Sequence, residues 1–264
     1  MKKVLTIAGV DPIGGAGMMS DIKTMTAHDV YGMCAITLLS IQNTIGFYEV
    51  QPVESRFLEK QIDVIFSDII PDATKTGMLL NSDLIKVVAQ KMKQYNPKNL
   101  VIDPVMIAHR KFKLIDDEAI ETLIDELIPL ADLITPNIGE GEILAGITIE
   151  NKKDMETAAK IIYEKFGTNV VLKSGVSEED ADDLLYTDKG IFWIKGEKVD
   201  TKNTRGTGDA LSSSIASNLA KGYDLKTSVK LAKKFVYNAL SEKLQIGRGV
   251  GSIHHSFEIK NILK

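Results

Sequence analysis

The chain has 264 residues, with 32 Lys+Arg against 36 Asp+Glu for a net charge of −4, and 44% of it is hydrophobic against 26% charged. That length holds one large α/β domain with a sizeable core, and the composition excludes a disordered or collagen-like chain. The slight acidity leaves no basic footprint for nucleic acid or an anionic membrane surface, and no apolar run reaches the roughly 18–20 residues of a membrane-crossing helix, so neither partner is expected.

The apolar run after Met1-Lys2-Lys3 is too short for a signal peptide, and the single cysteine, Cys34, has no internal partner, so a cytoplasmic protein is expected. From there strands and helices alternate. Val4–Ala8 reads as a strand before a helix over Met18–His28, and Cys34–Ser40 as a strand before a helix over Glu54–Phe66. The rhythm continues with Ala73–Thr76 before Ser82–Tyr95, Leu100–Ile102 before Asp116–Ile128, and Asp132–Thr135 before Glu140–Gly146. Lys152–Phe166 then precedes the strand Asn169–Leu172. Apolar strands between amphipathic helices predict a mostly parallel sheet covered on both faces. Leu184–Thr187, the turn Asp188-Lys189-Gly190 and Ile191–Ile194 predict an appended antiparallel hairpin. Helical spacing over Thr207–Lys221 and Leu225–Leu244 closes the pattern before a Gly-rich tail, Gly247–Gly251. No linker or repeat divides the chain, which predicts a single domain over 1–264.

The 20 glycines cluster where strands meet helices. The first cluster, Gly9-Val10-Asp11-Pro12-Ile13-Gly14-Gly15-Ala16-Gly17, fits a tight turn or a loop lying over a small substrate. It does not fit a dinucleotide loop, because the G-x-G-x-x-G spacing and the later acidic residue are both missing. The second, Asn203-Thr204-Arg205-Gly206-Thr207-Gly208-Asp209, runs into a helix, and Gly206 and Gly208 let backbone N–H groups converge on one point. A helix N-terminus of that kind is an anion site, with Arg205 as an added cation. Asp209 reads either as a carboxylate matched to the helix dipole or as the base for an attacking hydroxyl in phosphoryl transfer. His254 and His255 are adjacent, so in an extended segment they face opposite ways and make no metal pair.

These segments carry a resemblance. Leu5-Thr6-Ile7-Ala8-Gly9-Val10-Asp11-Pro12-Ile13-Gly14-Gly15-Ala16-Gly17 with Asp21-Ile22-Lys23-Thr24 is followed by Tyr31-Gly32-Met33, Gln42-Asn43-Thr44 and Lys75-Thr76-Gly77-Met78-Leu79. Val101-Ile102-Asp103-Pro104-Val105-Met106, Thr135-Pro136-Asn137, Asn203-Thr204 with Gly206-Thr207-Gly208, and His254-His255 complete an ordered set over nearly the whole chain. The set resembles the hydroxymethylpyrimidine/phosphomethylpyrimidine kinases of thiamine synthesis, within the ribokinase-like superfamily. The resemblance implies a three-layer α/β/α fold, ATP and Mg²⁺ as cofactors, a pyrimidine acceptor and a homodimer. It implies pyrimidine contacts for Gly9, Asp21, Gln42, Met78 and Val105. It implies phosphate contacts for Asn137, Glu140, Arg205 and Thr207, a metal role for Asp103 and Glu140, and transfer roles for Lys173, Gly206, Gly208 and Asp209. Residue chemistry agrees in part, since a carboxamide and a carboxylate match ring nitrogens and a methionine packs on an aromatic face. Alone, Gln42 would read as a loop residue, Met78 as a core filler and Lys173 as a solvated strand end.

The sequence departs from the family where the second loop ordinarily reads His-Gly-Thr-Gly-Cys and here reads Arg205-Gly206-Thr207-Gly208-Asp209. Val10 and Ile13 stand at positions that commonly carry small hydroxyl residues, and Ser174 stands for a Gly. Asp ionises near a pKa of about 3.9 and Cys near about 8.5, so a proton acceptor is kept at neutral pH. Substrate identity is touched more than reaction type. The expected activity is ATP-dependent phosphorylation of 4-amino-5-hydroxymethyl-2-methylpyrimidine and of its monophosphate. Pyridoxine/pyridoxal kinase is the alternative, and a silent pyrimidine sensor a third reading. The tail glycines Gly247, Gly249 and Gly251 have no assigned role, an edge of the nucleotide side being one reading.

Overall fold

The computed structural model describes residues 1–108, 112–174 and 181–257. Its strands are β1 (Lys3–Val10), β2 (Tyr31–Gln42), β3 (Phe47–Pro52), β4 (Ala73–Thr76), β5 (Leu100–Ile102), β6 (Ile107–Ala108), β7 (Phe112–Lys113), β8 (Leu133–Ile134), β9 (Asn169–Leu172), β10 (Asp183–Thr187) and β11 (Gly190–Ile194). Its helices are α1 (Gly17–Ala27), α2 (Ser55–Asp68), α3 (Ser82–Tyr95), α4 (Asp117–Thr122), α5 (Ile138–Ala145), α6 (Lys152–Phe166), α7 (Thr207–Ala220) and α8 (Leu225–Ser241).

Nine strands form one sheet in the order β11-β10-β9-β8-β5-β4-β1-β2-β3, and β6 pairs with β7 separately. From β2 through β9 every neighbouring pair is parallel. β3 and the β10–β11 hairpin are the antiparallel edges. The central strands β4, β5 and β8 are buried along their whole length, as strands covered on both faces must be. Leu58, Ile62, Leu84, Val88, Met155 and Ile162 of α2, α3 and α6 pack one face. Met25, Ile215, Val229 and Phe235 of α1, α7 and α8 pack the other. The result is the three-layer α/β/α arrangement expected from the sequence, and no helix among the described residues is long and apolar enough to cross a membrane.

Local chemistry sets the boundaries. The Asn81 and Asn151 side chains cap the starts of α3 and α6, and Asn96 and Gly167 end them in the left-handed conformation, so both helices match their predicted limits. The predicted helix over Asp116–Ile128 is shorter: α4 passes at Leu123 into a π-helical turn, then a 3₁₀ turn holding Pro129. β3 was not expected, because its side chains are almost all exposed and offer no buried period. The carboxyl ends of β1, β4, β5, β8 and β9 all lie at one edge of the sheet, which is where open α/β sheets bind ligands.

Candidate active site

A cavity of about 1010 Å³ opens at that edge, lined by both glycine loops and by residues that follow β4, β5, β8 and β9. In the first loop the buried Asp11 carboxylate accepts the backbone N–H groups of Ile13, Gly15 and Ala16 at 3.1, 3.1 and 3.0 Å. Gly17 has φ +56°, and a Cβ there would meet the Gly9 carbonyl oxygen at 2.4 Å, so the loop closes only with glycine. Asp11 went unassigned in the sequence, although Asp-Pro is a signal for an aspartate folding its own turn.

The second loop lies directly against the first. Gly206 starts α7 with φ +81°, and a Cβ on it would sit 2.0 Å from the Gly15 carbonyl oxygen. No side chain caps α7, and Gly206, Thr207, Gly208 and Asp209 all line the cavity. The positive end of the helix, with the N–H groups of its first turn uncapped by any side chain, can take an anion, which is the use the glycine spacing suggests.

At the first-loop end, Gly9, Leu38, Gln42, Phe47, Met78 and Val105 form the wall. Gln42 donates through Nε2 to Ser40 Oγ at 2.7 Å and accepts through Oε1 from Arg205. Arg205 is also ion-paired to Asp11, Nε to Oδ2 at 3.0 Å. Its expected role as a cation of the phosphate cradle is corrected accordingly, since its guanidinium turns to the acceptor wall and ties the two loops together. Phe47 was missed with β3, whereas Leu38 and Ser40 lie on the expected strand Cys34–Ser40, where nothing in the local pattern sets them apart from core residues.

The other end carries charge. Asp103, just past β5, accepts from Thr135 Oγ1 at 2.9 Å and pairs with Lys173 Nζ at 2.8 Å, both through Oδ1. Burial opposes the Lys173 charge, but Asp103 and Glu140 outweigh it and hold the ammonium above its ordinary range. Asn137 and Glu140 form a capping box on α5: Glu140 N–H donates to Asn137 Oδ1 at 3.0 Å, and Asn137 N–H to Glu140 Oε2 at 2.7 Å. Glu140 Oε1 also accepts from Met106 N–H at 3.2 Å. Each oxygen accepts one backbone N–H and keeps a lone pair, and Glu140 lines the cavity, so the carboxylate can still bind a water of a metal's shell. Burial pushes its carboxyl up to about 7 against the pull of Lys173.

Among the described residues no group of three or more His, Cys, Asp or Glu could cage a metal. Asp103 Oδ2 is not engaged by Thr135 or Lys173 and lies 3.6 Å from where a Cβ on Gly208 would stand, beside the cradle. One accessible carboxylate oxygen fits a magnesium ion carried mainly by phosphates and water.

Asp21 does not line the cavity, which corrects its expected pyrimidine contact. It is fully buried and accepts from Lys75 Nζ with both oxygens at 2.9 Å, from Thr6 at 2.6 Å and from Ser213 at 2.5 Å. Lys75 Nζ reaches on to Asp209 Oδ1 at 3.2 Å, and that carboxylate is 18% exposed on the cavity side. Burial pushes Asp21 up to about 6 against the pull of Lys75. For Lys75 burial opposes the charge, and Asp21 with Asp209 and Asp103 overcomes it, so the ammonium is strengthened.

Of the tail glycines, Gly247 and Gly249 pack on Thr44 beyond Gln42, and Gly251 packs on Asn203 of the second loop. A Cβ on Gly249 would meet the Thr44 carbonyl oxygen at 1.9 Å, Val250 N–H bonds that same oxygen at 2.8 Å, and Val250 lines the cavity. Of the two histidines, His255 is buried and its Nε2 bonds Ser20 Oγ at 2.7 Å.

The sequence model of the phosphomethylpyrimidine kinase family matches residues 11–254. A hydroxymethylpyrimidine/phosphomethylpyrimidine kinase of Bacillus subtilis (strain 168) is 40% identical over 255 residues, covering 96% of this chain and 94% of that protein. The crystal structure of a phosphomethylpyrimidine kinase from Clostridium difficile 630 is similar at a TM-score of 0.84 and 40% identity, over 91% of this chain and all 100% of that one. A pyridoxal kinase from Staphylococcus aureus, solved with AMP-PCP and pyridoxal, is similar at a TM-score of 0.90 and 32% identity, over 99% of this chain and 96% of that one.

Proposed function

The chain belongs to the phosphomethylpyrimidine kinase family, and we propose that it moves the terminal phosphoryl group of ATP to the hydroxymethyl oxygen of 4-amino-5-hydroxymethyl-2-methylpyrimidine, then to its monophosphate, in thiamine biosynthesis. One observation carries the reading: an uncapped helix N-terminus and an aromatic-sized apolar wall face one cavity, with the Asp209 carboxylate on it. The AMP-PCP bound to the Staphylococcus aureus relative supports ATP as donor.

In this reading Met78, Val105, Leu38 and Phe47 hold the flat ring, and Gln42 reads its polar edge. Asp209 takes the proton of the hydroxymethyl group as that oxygen forms its bond to phosphorus. The bond from phosphorus to the ADP oxygen breaks, and ADP leaves with the electron pair. The first-turn N–H groups of α7 and the Lys173 ammonium stabilise the charge on the phosphoryl oxygens as they pass. Asp103, through Oδ2, would hold a magnesium ion that neutralises phosphate charge. The single kinase domain over 1–264 and a homodimer belong to the same proposal, the dimer to be read by light scattering.

A second acceptor has support in the pyridoxal-bound relative, because pyridoxal also carries a hydroxymethyl group on an aromatic nitrogen ring. The test is a panel: purified protein and Mg-ATP with hydroxymethylpyrimidine, its monophosphate or pyridoxal, reading ADP release and phosphorus NMR of the product. Turnover of both pyrimidines supports the proposal. Turnover of pyridoxal alone moves the chain to the second reading, and no turnover with any acceptor makes it a binding protein.

A further inference from the structure

Lys75 is fully buried at the centre of the sheet, paired in register with Thr6 of β1 and Val101 of β5. A lysine in that position is costly unless its ammonium is fully paired. Here the pairing is divided unequally. Both Asp21 oxygens take Nζ at 2.9 Å, and Asp21 is itself saturated by the Thr6 and Ser213 hydroxyls. That arrangement already makes a neutral buried pair. The remaining contact runs to Asp209 Oδ1 at 3.2 Å, across to the residue that faces the cavity. Room is kept for the ammonium, because a Cβ on Gly77 would lie 3.0 Å from Nζ and 3.1 Å from the Ala8 Cβ.

We infer that Lys75 is a positioning residue for phosphoryl transfer: anchored from behind by Asp21, it grips one oxygen of Asp209 so that the carboxylate is held toward the acceptor hydroxyl. Lys75 does not line the cavity. The inference rests on the kinase reading above. It assigns the Lys75–Asp21 pair, which joins β4 and α1 to the first turn of α7, the task of fixing a side chain that the loop alone leaves free. The pair has no other exit to solvent, since the Lys75 and Asp21 side chains are both 0% exposed.

The test is a double-mutant cycle on acceptor phosphorylation with Lys75→Met, Asp209→Asn and their combination. In the otherwise native chain Lys75→Met is expected to lower kcat by about 10–100-fold, the effect of a misaimed group, with the acceptor KM nearly unchanged. In the Asp209→Asn background the same change is expected to alter kcat by less than about twofold, because the amide that Lys75 still holds is no longer a base. Equal losses in both backgrounds would overturn the inference and reduce Lys75 to a fold residue. Should Lys75→Met fail to fold by circular dichroism, the cycle is run with Asp21→Asn/Lys75→Met, which removes both buried charges together. A wild-type chain that phosphorylates no acceptor overturns the kinase reading and this role with it. An active wild type without coupling overturns this role alone.

Discussion

Gly208→Ala separates what the second glycine loop does for the fold from what it does for chemistry. Unlike Gly206, Gly208 does not have a positive φ, and a Cβ built on it meets only Lys173 Nζ at 3.4 Å and Asp103 Oδ2 at 3.6 Å. Those are ordinary contacts, so the fold accepts the methyl. Replacing a helical glycine by alanine at a compatible backbone raises stability by about 0.4–1 kcal/mol through the unfolded chain, or about 1–3 °C in Tm at this size. The methyl, however, stands against the Lys173–Asp103 ion pair on its cradle side, where the proposed transfer places a phosphoryl oxygen. Displacing the phosphoryl group by an ångström costs about 100-fold in rate, equivalent to about 2.7 kcal/mol of transition-state stabilisation. The expected outcome is thus an unchanged or raised Tm by scanning calorimetry, with kcat/KM for ATP down by about 100-fold or more in a coupled ADP assay. Activity within about threefold of wild type, in a folded variant, would refute the cradle assignment.

Asp209→Asn keeps the shape and an acceptor for Lys75 but removes the base, so kcat is expected to fall by about 10²–10⁴-fold in stopped-time ADP assays with Tm maintained. An unchanged rate would remove Asp209 from the chemistry. Gln42→Ala is expected to raise the acceptor KM by about tenfold with little change in the ATP KM, as initial-rate kinetics would show, and the reverse pattern would mean the two subsites are exchanged. Burial, assisted by Lys23 and His254, lowers His255 from 6.5 to about 4. The folded state then binds fewer protons than the unfolded one across that window, so this histidine's contribution is present above about 6.5 and lost as pH falls toward about 4. His255→Gln should flatten the fall in urea-unfolding stability over that range relative to wild type, and an unaltered slope would refute the assignment.

Legibility in the sequence followed burial and capping. β4, β5 and β9 match their predicted limits at Ala73–Thr76, Leu100–Ile102 and Asn169–Leu172, because each is a short run walled in by helices on both faces. β3 escaped because an exposed edge strand has no buried face to print a period. In the site, both glycine loops were visible, since Gly14, Gly17 and Gly206 adopt positive φ that other residues resist. Lys75 was not. Its partners lie 54 and 134 residues away, and no local pattern tells a lysine inside a buried strand from a solvated one. Asp21 has the right chemistry for a ring amine, and only its depth behind the cavity wall shows that it serves Lys75.

The two departures in the second loop can now be weighed against each other. Where the family ordinarily has His and Cys, this chain has Arg205 and Asp209, a cation and an anion added to one short loop. Neither is left to be neutralised by the other. Arg205 is paired by Asp11 of the first loop, whose carboxylate is already held by backbone N–H groups, and Asp209 is paired by Lys75 from β4. Each new charge therefore meets a partner that the surrounding fold fixes in place, which is the condition for a partly buried charge to be tolerated. The consequences differ because the partners differ. Asp209 is held from behind by Lys75 and stays 18% exposed on the cavity side, the face that the proposed transfer uses. Arg205 instead occupies Gln42 Oε1, while Ser40 occupies Gln42 Nε2, and this fixes which way the carboxamide presents its donor and acceptor to a ring. Under the proposed function, a substitution at Arg205 is therefore expected to move the acceptor KM more than the ATP KM, as initial-rate kinetics would show.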